Sequence, residues 1–116
     1  MRVPSDATVA VAAAALINAE VGAVIVGAQA RPTALISERD VARVVAAGQD
    51  PTAVRAADVA STNLVWCAAD ATVDEVAQRM TDKHIRHLLV EDGETLVGIV
   101  SARDLLGVYA SDAEPA

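Results

Sequence analysis

The sequence predicts an α/β fold of the α+β kind, built by folding one strand-helix-strand-strand-helix unit twice. Three observations predict it. Asp6-Ala7-Thr8-Val9 returns as Asp70-Ala71-Thr72-Val73, and Ser37-Glu38-Arg39-Asp40 returns as Ser101-Ala102-Arg103-Asp104, each 64 residues on. Two tetrads at one offset mark a duplication, and the stretches between them match in kind: Leu16 with Met80, Val24-Ile25-Val26 with Leu88-Leu89-Val90, Leu35-Ile36 with Ile99-Val100. Within each copy, an apolar stripe of helical period gives way to short β-branched runs bounded by turn residues. Third, 53% of residues are hydrophobic but only 2% are aromatic, Trp66 and Tyr109. Small and β-branched side chains in that proportion suit helices laid closely on a buried sheet.

The elements follow in order. Met1–Pro4 is the short opening strand of copy one, and Thr8 caps a helix running through the alanines to about Ala19. Val21–Val26 reads as a strand, Gly27 to Pro32 as an irregular turn, and Leu35-Ile36 as the next strand. A helix from about Arg39 to Ala47 ends at Gly48-Gln49-Asp50-Pro51-Thr52, where Gly and Asp-Pro break it. Val54–Ala60 is a short helical piece leading to Leu64-Val65-Trp66-Cys67, the opening strand of copy two. Thr72 is the next N-cap, with Glu75 placed to complete a capping box, and Val73, Val76, Ala77 and Met80 share one helical face. Ile85–Glu91 and Thr95–Val100 are strands joined by Glu91-Asp92-Gly93-Glu94, whose Asp-Gly is a hairpin signal. A last helix spans about Ala102 to Ala110. The expected organisation is therefore a first repeat over 1–47, a linker over 48–62, a second repeat over 63–110 and a disordered acidic tail over 111–116.

Charge and composition exclude several functions. A net charge of −7 disfavours nucleic acid and anionic membrane, whose phosphates attract positive surfaces. It leaves room for a small phosphate ligand held by a few local cations. The apolar stretch Val9 to Leu35 is interrupted by Asn18, Glu20, Gln29 and Arg31, short of the roughly 20 apolar residues of a membrane span. With no basic leader and a single cysteine, Cys67, which reads as inert strand filling, the expected location is the cytoplasm. No catalytic motif is present. There is no phosphate loop ending in Lys, no Cys-x-x-Cys and no Gly-x-Ser-x-Gly, and Gly22-x-x-x-x-Gly27 lacks the Lys and lies in a strand. His84 and His87 have a metal-like spacing only for a helix, and here they approach a strand with no third ligand in view. The chain reads as a binding protein, not an enzyme, with no metal.

The order strand, helix, strand, hairpin strand, helix, present twice, resembles the CBS domain pair, or Bateman module. The resemblance rests on Asp70-Ala71-Thr72-Val73, His84-Ile85-Arg86-His87-Leu88-Leu89-Val90 and Leu96-Val97-Gly98-Ile99-Val100-Ser101-Ala102-Arg103-Asp104-Leu105-Leu106, with Ala34-Leu35-Ile36-Ser37-Glu38-Arg39-Asp40-Val41 from copy one. It covers about residues 3 to 110, and stand-alone bacterial CBS-pair proteins look similar through Ala46-Ala47-Gly48-Gln49-Asp50-Pro51. The resemblance implies two tandem repeats packed sheet to sheet with pseudo-twofold symmetry, leaving two clefts. It also implies a regulatory module that binds an adenine nucleotide (AMP, ADP or ATP) or another adenosyl ligand, pairs as a homodimer and signals to a regulated protein partner. This sequence departs from the family pattern in having Leu89 and Ile25 where Pro is common, Ala60 where Met is common and Ala34 where Gly is usual.

The candidate ligand residues come in three groups. Ser37 with Asp40, and Ser101 with Asp104, stand at strand-to-helix junctions. Free N–H groups and a partial positive charge there suit phosphate, and an ionised Asp can accept from ribose hydroxyls. The resemblance assigns Asp to ribose and Ser to phosphate. Ser-x-x-Asp is equally an ordinary helix cap, which a duplication would copy too. Arg86-His87 is the second group: in a related CBS protein a basic pair precedes the same strand and faces nucleotide phosphates, whereas copy one has Gly22-Ala23 here. An Arg fork and a His charge suit phosphate, the alternative being a solvated Arg and a half-buried His. Arg39 and Arg103, inside the tetrads of the first group, are secondary phosphate candidates or surface ion-pair partners. Val65 and Trp66, with Val3 and Pro4 in copy one, form the third group, lining a base or filling core and interface. A ligand that favours one arrangement of the repeats regulates whatever senses it. The alternative is a ligand-free structural or dimerisation module.

Overall fold

The structure, a computed structural model, describes residues 2–113, with side chains as far as Val108. It divides into two compact units, Met1–Leu64 and Val65–Ala116. In the first unit β1 (Arg2–Val3) pairs in parallel with β2 (Ala23–Val26), and β2 pairs antiparallel with β3 (Leu35–Ser37). The helix α1 (Val9–Ala19) joins β1 to β2, α2 (Glu38–Ala46) follows β3, and α3 (Ala56–Val59) completes the unit. Val9, Ala12 and Leu16 of α1, Val24 and Val26 of β2, Ile36 of β3 and Val44 of α2 form its buried core. Strand β2 is buried at all four positions, so both faces of this sheet are covered.

Local chemistry sets the boundaries of α1. The Thr8 hydroxyl accepts from the Val11 amide at 3.3 Å. At the other end Glu20 adopts the left-handed conformation (φ 56°), its N–H donates to Ile17 O, and Val21 N–H donates to Leu16 O at 3.1 Å. That pair of bonds is a Schellman closure. It explains why the strand opens at Ala23 rather than at the expected Val21, whose amide is committed to the helix.

Residues 48–62, expected as a linker, fold onto the first unit. Val9 N donates to Val54 O (2.9 Å) and Ala10 N to Pro51 O (3.0 Å), so this segment satisfies two of the free N–H groups that every helix start presents. Ala56 N donates to Ala7 O, and Leu35 and Ser61 exchange a pair of bonds, while Ala56 itself is fully buried. The turn before α3 is held by Asp50, whose carboxylate accepts from the Thr52 amide and hydroxyl at 2.9 and 2.8 Å. Those bonds, the backbone one first, keep its pKa below the usual carboxylate value.

The second unit repeats this plan. β4 (Trp66–Ala68) runs parallel to β5 (His87–Asp92), which pairs antiparallel with β6 (Thr95–Ser101); α4 (Val73–Lys83) and α5 (Ala102–Ala113) follow β4 and β6. The correspondence holds residue by residue. α4 has the limits of α1 displaced by the repeat offset, His84 takes the left-handed closing position (φ 55°), and Ile85 N donates to Met80 O at 3.0 Å. The pairs Arg2 with Ile25 and Ala23 with Ser37 recur as Trp66 with Leu89 and His87 with Ser101.

Some expectations change. Thr72 makes half of the expected capping box: its hydroxyl accepts from Glu75 N at 3.1 Å, and the Glu75 side chain stays exposed. Val73, placed on the buried face by its spacing, is exposed, because no segment in the second unit among the described residues covers it as residues 51–56 cover Val9. The hairpin closes with Asp92 opposite Thr95, leaving Gly93-Glu94 as the two-residue turn. Gly93 has φ 64°, which suits a glycine in the first turn position. A bulge follows, with Val90 opposite Gly98 and Glu91 opposite Leu96, leaving Val97 over. α5 continues to Ala113, so the first three residues of the expected disordered tail are helical; nothing before Pro115 breaks a helix. Residues 114–116 lie outside the described residues. No helix among the described residues is long and apolar enough to cross a membrane.

Candidate functional site

Antiparallel pairing of β5 with β6 sets His87 opposite Ser101, and the Ala102 amide donates to Arg86 O at 2.8 Å. Arg86-His87 and Ser101-Ala102 are therefore neighbours at one end of the second sheet. The start of β4 reaches the same end from the other side of β5, because Leu89 N donates to Val65 O and Trp66 lies opposite Leu89. Residues far apart in sequence thus share one corner: Val65 and Trp66, Arg86 and His87, Ser101 and Asp104. Val65, Trp66 and His87 are half-buried, whereas Arg86 and Asp104 are exposed. Arg103 is exposed on the first turn of α5 and engages a partner of its own.

At this corner the capping reading of Ser-x-x-Asp is realised. The Ser101 amide donates to Asp104 Oδ2 at 2.9 Å, and the Asp104 amide donates to Ser101 Oγ at 3.1 Å. A cap does not exhaust these groups. A carboxylate has about four acceptor positions, so Asp104 keeps acceptor capacity after its bond to Ser101. The Ser101 hydroxyl proton has no acceptor among the described residues.

The matching corner of the first unit has the same backbone and different chemistry. Glu38 N donates to Gly22 O at 3.0 Å and Ala23 lies opposite Ser37, so the place of the basic pair is occupied by Gly22-Ala23. Ser37 N donates to Asp40 Oδ2 (2.8 Å), Asp40 N donates to Ser37 Oγ (3.3 Å), and the Ser37 hydroxyl also donates to Asp40 Oδ2 (3.0 Å). Arg43 stands 3.7 Å from Asp40 Oδ1, and the Asp40 side chain is only 12% exposed. Both carboxylate oxygens and the serine proton are engaged here. Arg39 is exposed one residue before Asp40, and Val3 lies opposite Val26 on the far side of β2. Sequence reading passed over Arg43, although an Asp and an Arg three apart on a helix are the standard signal for such a pair. It also passed over Arg79, which donates to the Trp66 carbonyl and ties α4 to β4.

Two other features are near but separate. A shallow hollow of about 360 Å³ against α2 is lined by Asp40, Arg43, Val44, Ala47, Gln49 and Val59, and shares only Asp40 with the predicted set. Cys67 is buried, and its burial raises the thiol pKa, so little of the reactive thiolate forms at neutral pH.

The family model described as "CBS domain" matches residues 56–111. A CBS domain protein from Pyrobaculum aerophilum, solved in complex with AMP, is 30% identical, with a TM-score of 0.80 over 96% of this chain and 91% of that one. The chain belongs to the CBS domain family. A protein with CBS domains from Burkholderia ambifaria superposes with a TM-score of 0.87 at 26% identity, covering 97% of this chain and 84% of that chain. The match is to the whole two-repeat chain, so the α/β fold with two three-stranded sheets is the CBS fold. An uncharacterized protein from Methanopyrus kandleri is 40% identical over 87 residues, 73% of this chain. The chain spans 44% of that relative's length.

Proposed function

We propose that this chain is a regulatory ligand-sensing module, not an enzyme, which binds an AMP- or ATP-like adenine nucleotide or a related adenosyl compound in the cytoplasm. One observation carries the reading: the fold brings Arg86, Ser101 and Asp104 to one corner, with an exposed arginine, a hydroxyl whose proton has no acceptor among the described residues, and an exposed aspartate. A guanidinium and a helix start suit phosphate, and a carboxylate suits ribose hydroxyls. The AMP complex of the Pyrobaculum relative supports this ligand class. Ser37, Arg39 and Asp40 form the weaker counterpart, since Asp40 is already paired. Val65 and Trp66 supply the apolar side for a base, and His87 and Arg103 supplement the phosphate contacts.

The module works as a homodimer and reports to a regulated protein partner. A ligand shifts such a system only by its difference in affinity for two arrangements, so regulation requires that binding favour one of them. Thermal-shift measurements with AMP, ADP, ATP, NAD and S-adenosylmethionine test the reading. A ligand present at about 100 times its Kd stabilises the chain by roughly 2.7 kcal/mol. A flat response to all five would favour a ligand-free dimerisation module, a reading that draws on the charge-free outer face of α1.

A further inference from the structure

We infer that the second unit presents a docking groove for a peptide segment of a partner protein, which pairs with the edge of β6 and covers Val73 and Val108. The inference stands on the duplication and does not rest on the nucleotide reading. In the first unit the equivalent place is filled by residues 51–61. Leu35 N donates to Ser61 O (3.0 Å) and Ser61 N to Leu35 O (2.8 Å), Val9 N donates to Val54 O (2.9 Å), and Ala56 N to Ala7 O (2.9 Å). Val54, Ala56, Val59 and Ala60 pack into the first core, in which Val9 is 0% exposed and Val44 2%.

The second unit offers the same groups, and no such segment covers them among the described residues. Leu89 lies opposite Ile99 and turns its own amide to Val65 O. Opposite residues of an antiparallel pair either exchange both bonds or turn both groups away. The N–H and C=O of Ile99 therefore face outward from β6, as those of Leu35 do from β3. Neither they nor the Val73 amide has a hydrogen-bond partner among the described residues. Val73 is 36% exposed and Val108 42%, where their counterparts Val9 and Val44 are sealed. An open edge beside apolar side chains takes up an extended segment by strand addition. The segment that fills the first unit defines the occupant. Ala56 is fully buried, so the partner needs a small residue there, apolar residues at the places of Val54 and Val59, and an extended residue where Ser61 stands. Charge adds a further requirement. Arg55 lies opposite Thr8, whose counterpart Thr72 is followed by Asp74 and Glu75 where the first copy has Ala10 and Val11. A basic residue at the place of Arg55 thus approaches an acidic first turn.

The probe is a synthetic peptide with the sequence of residues 51–62, added to the full chain, and amide hydrogen exchange reads each place separately. Peptide at about 10 times its Kd should slow exchange at Ile99 and Val73 roughly tenfold and leave Leu35 and Val9 unchanged. Ile99→Pro, which removes only an outward N–H on an edge strand, should weaken binding about fivefold. Val73→Glu should abolish it, since docking would bury the new charge, and Arg55→Ala within the peptide should weaken it about threefold. Circular dichroism of both protein variants verifies that the fold is kept. No protection of Ile99 at millimolar peptide would overturn the groove. Equal protection by a scrambled peptide, or unchanged binding to Val73→Glu, would do the same. Protection of Leu35 and Val9 in place of Ile99 and Val73 would overturn it too, by showing the peptide exchanging into the first unit. A flat response to nucleotides alongside slowed exchange at Ile99 would remove the nucleotide reading and support this one.

Discussion

Val9, Ile36 and Val44 are almost inaccessible in the first unit, while their counterparts Val73, Val100 and Val108 are half-buried or exposed in the second. The surfaces differ the other way. The first unit carries a charge-free outer helix and a corner whose carboxylate is already paired with Arg43; the second carries a charged outer helix and a corner with Arg86, where among the described residues Asp104 has no cationic partner and the Ser101 proton no acceptor. Strand register, helix limits and the left-handed closures at Glu20 and His84 are nevertheless the same. The lesson is that the backbone of this unit is specified by a small set of shared local signals. Packing and surface chemistry are then free to diverge, and only the diverged features distinguish the roles of the copies. The first copy invests its side chains in a tight core. The second carries the groups suited to a ligand.

The comparison can be broken most directly in the cores. Ile36→Ala should cost about 2–5 kcal/mol, as large-to-small changes at fully buried sites do, and Val100→Ala clearly less. Equal shifts of the two in chemical denaturation would mean that the second core is as tight as the first. Next in size is the contrast between corners. Asp104→Ala and Arg86→Ala should each weaken nucleotide binding tenfold or more, on the roughly 1.5–3 kcal/mol of a hydrogen bond to a charged group, with Asp40→Ala doing less. Titration calorimetry that finds equal losses at Asp40 and Asp104 would erase the asymmetry. The shared backbone can be sharpened rather than broken: Glu20→Gly and His84→Gly should each stabilise by about 1 kcal/mol, since a side chain in the left-handed region is strained and glycine is not. The two melting temperatures should rise alike. The smallest effect is expected from Arg43→Ala, under about 1 kcal/mol, because the arginine of this pair is largely exposed. The same variant should make Asp40 a better ligand group, which would show as a smaller gap between the two corners in nucleotide titrations.

Much of the fold was legible because its signals are short-range. Thr8 and Thr72, both Ser-x-x-Asp junctions and Asp92-Gly93 marked their turns and helix starts within a residue or two. The strands start at Ala23 and His87, two residues after the apolar Val21 and Ile85 that local pattern favours, because the amides of those two residues close the preceding helices on Leu16 and Met80. Of the site, the residue types were legible. Their states were not, since Asp40 and Asp104 sit in identical tetrad positions and differ through Arg43 in one copy and Gly107 at the matching place in the other.

By itself the sequence determined the duplication, the element order and the caps, all of which depend on neighbours three or four residues away or on comparing one copy with the other. Only the tertiary structure decided that residues 48–62 complete the first unit and that Val65, Arg86 and Ser101 share a corner. It alone decided which carboxylate remains open. Those outcomes depend on contacts between segments distant along the chain, where strand pairing and the satisfaction of buried donors, not local propensity, select the neighbour.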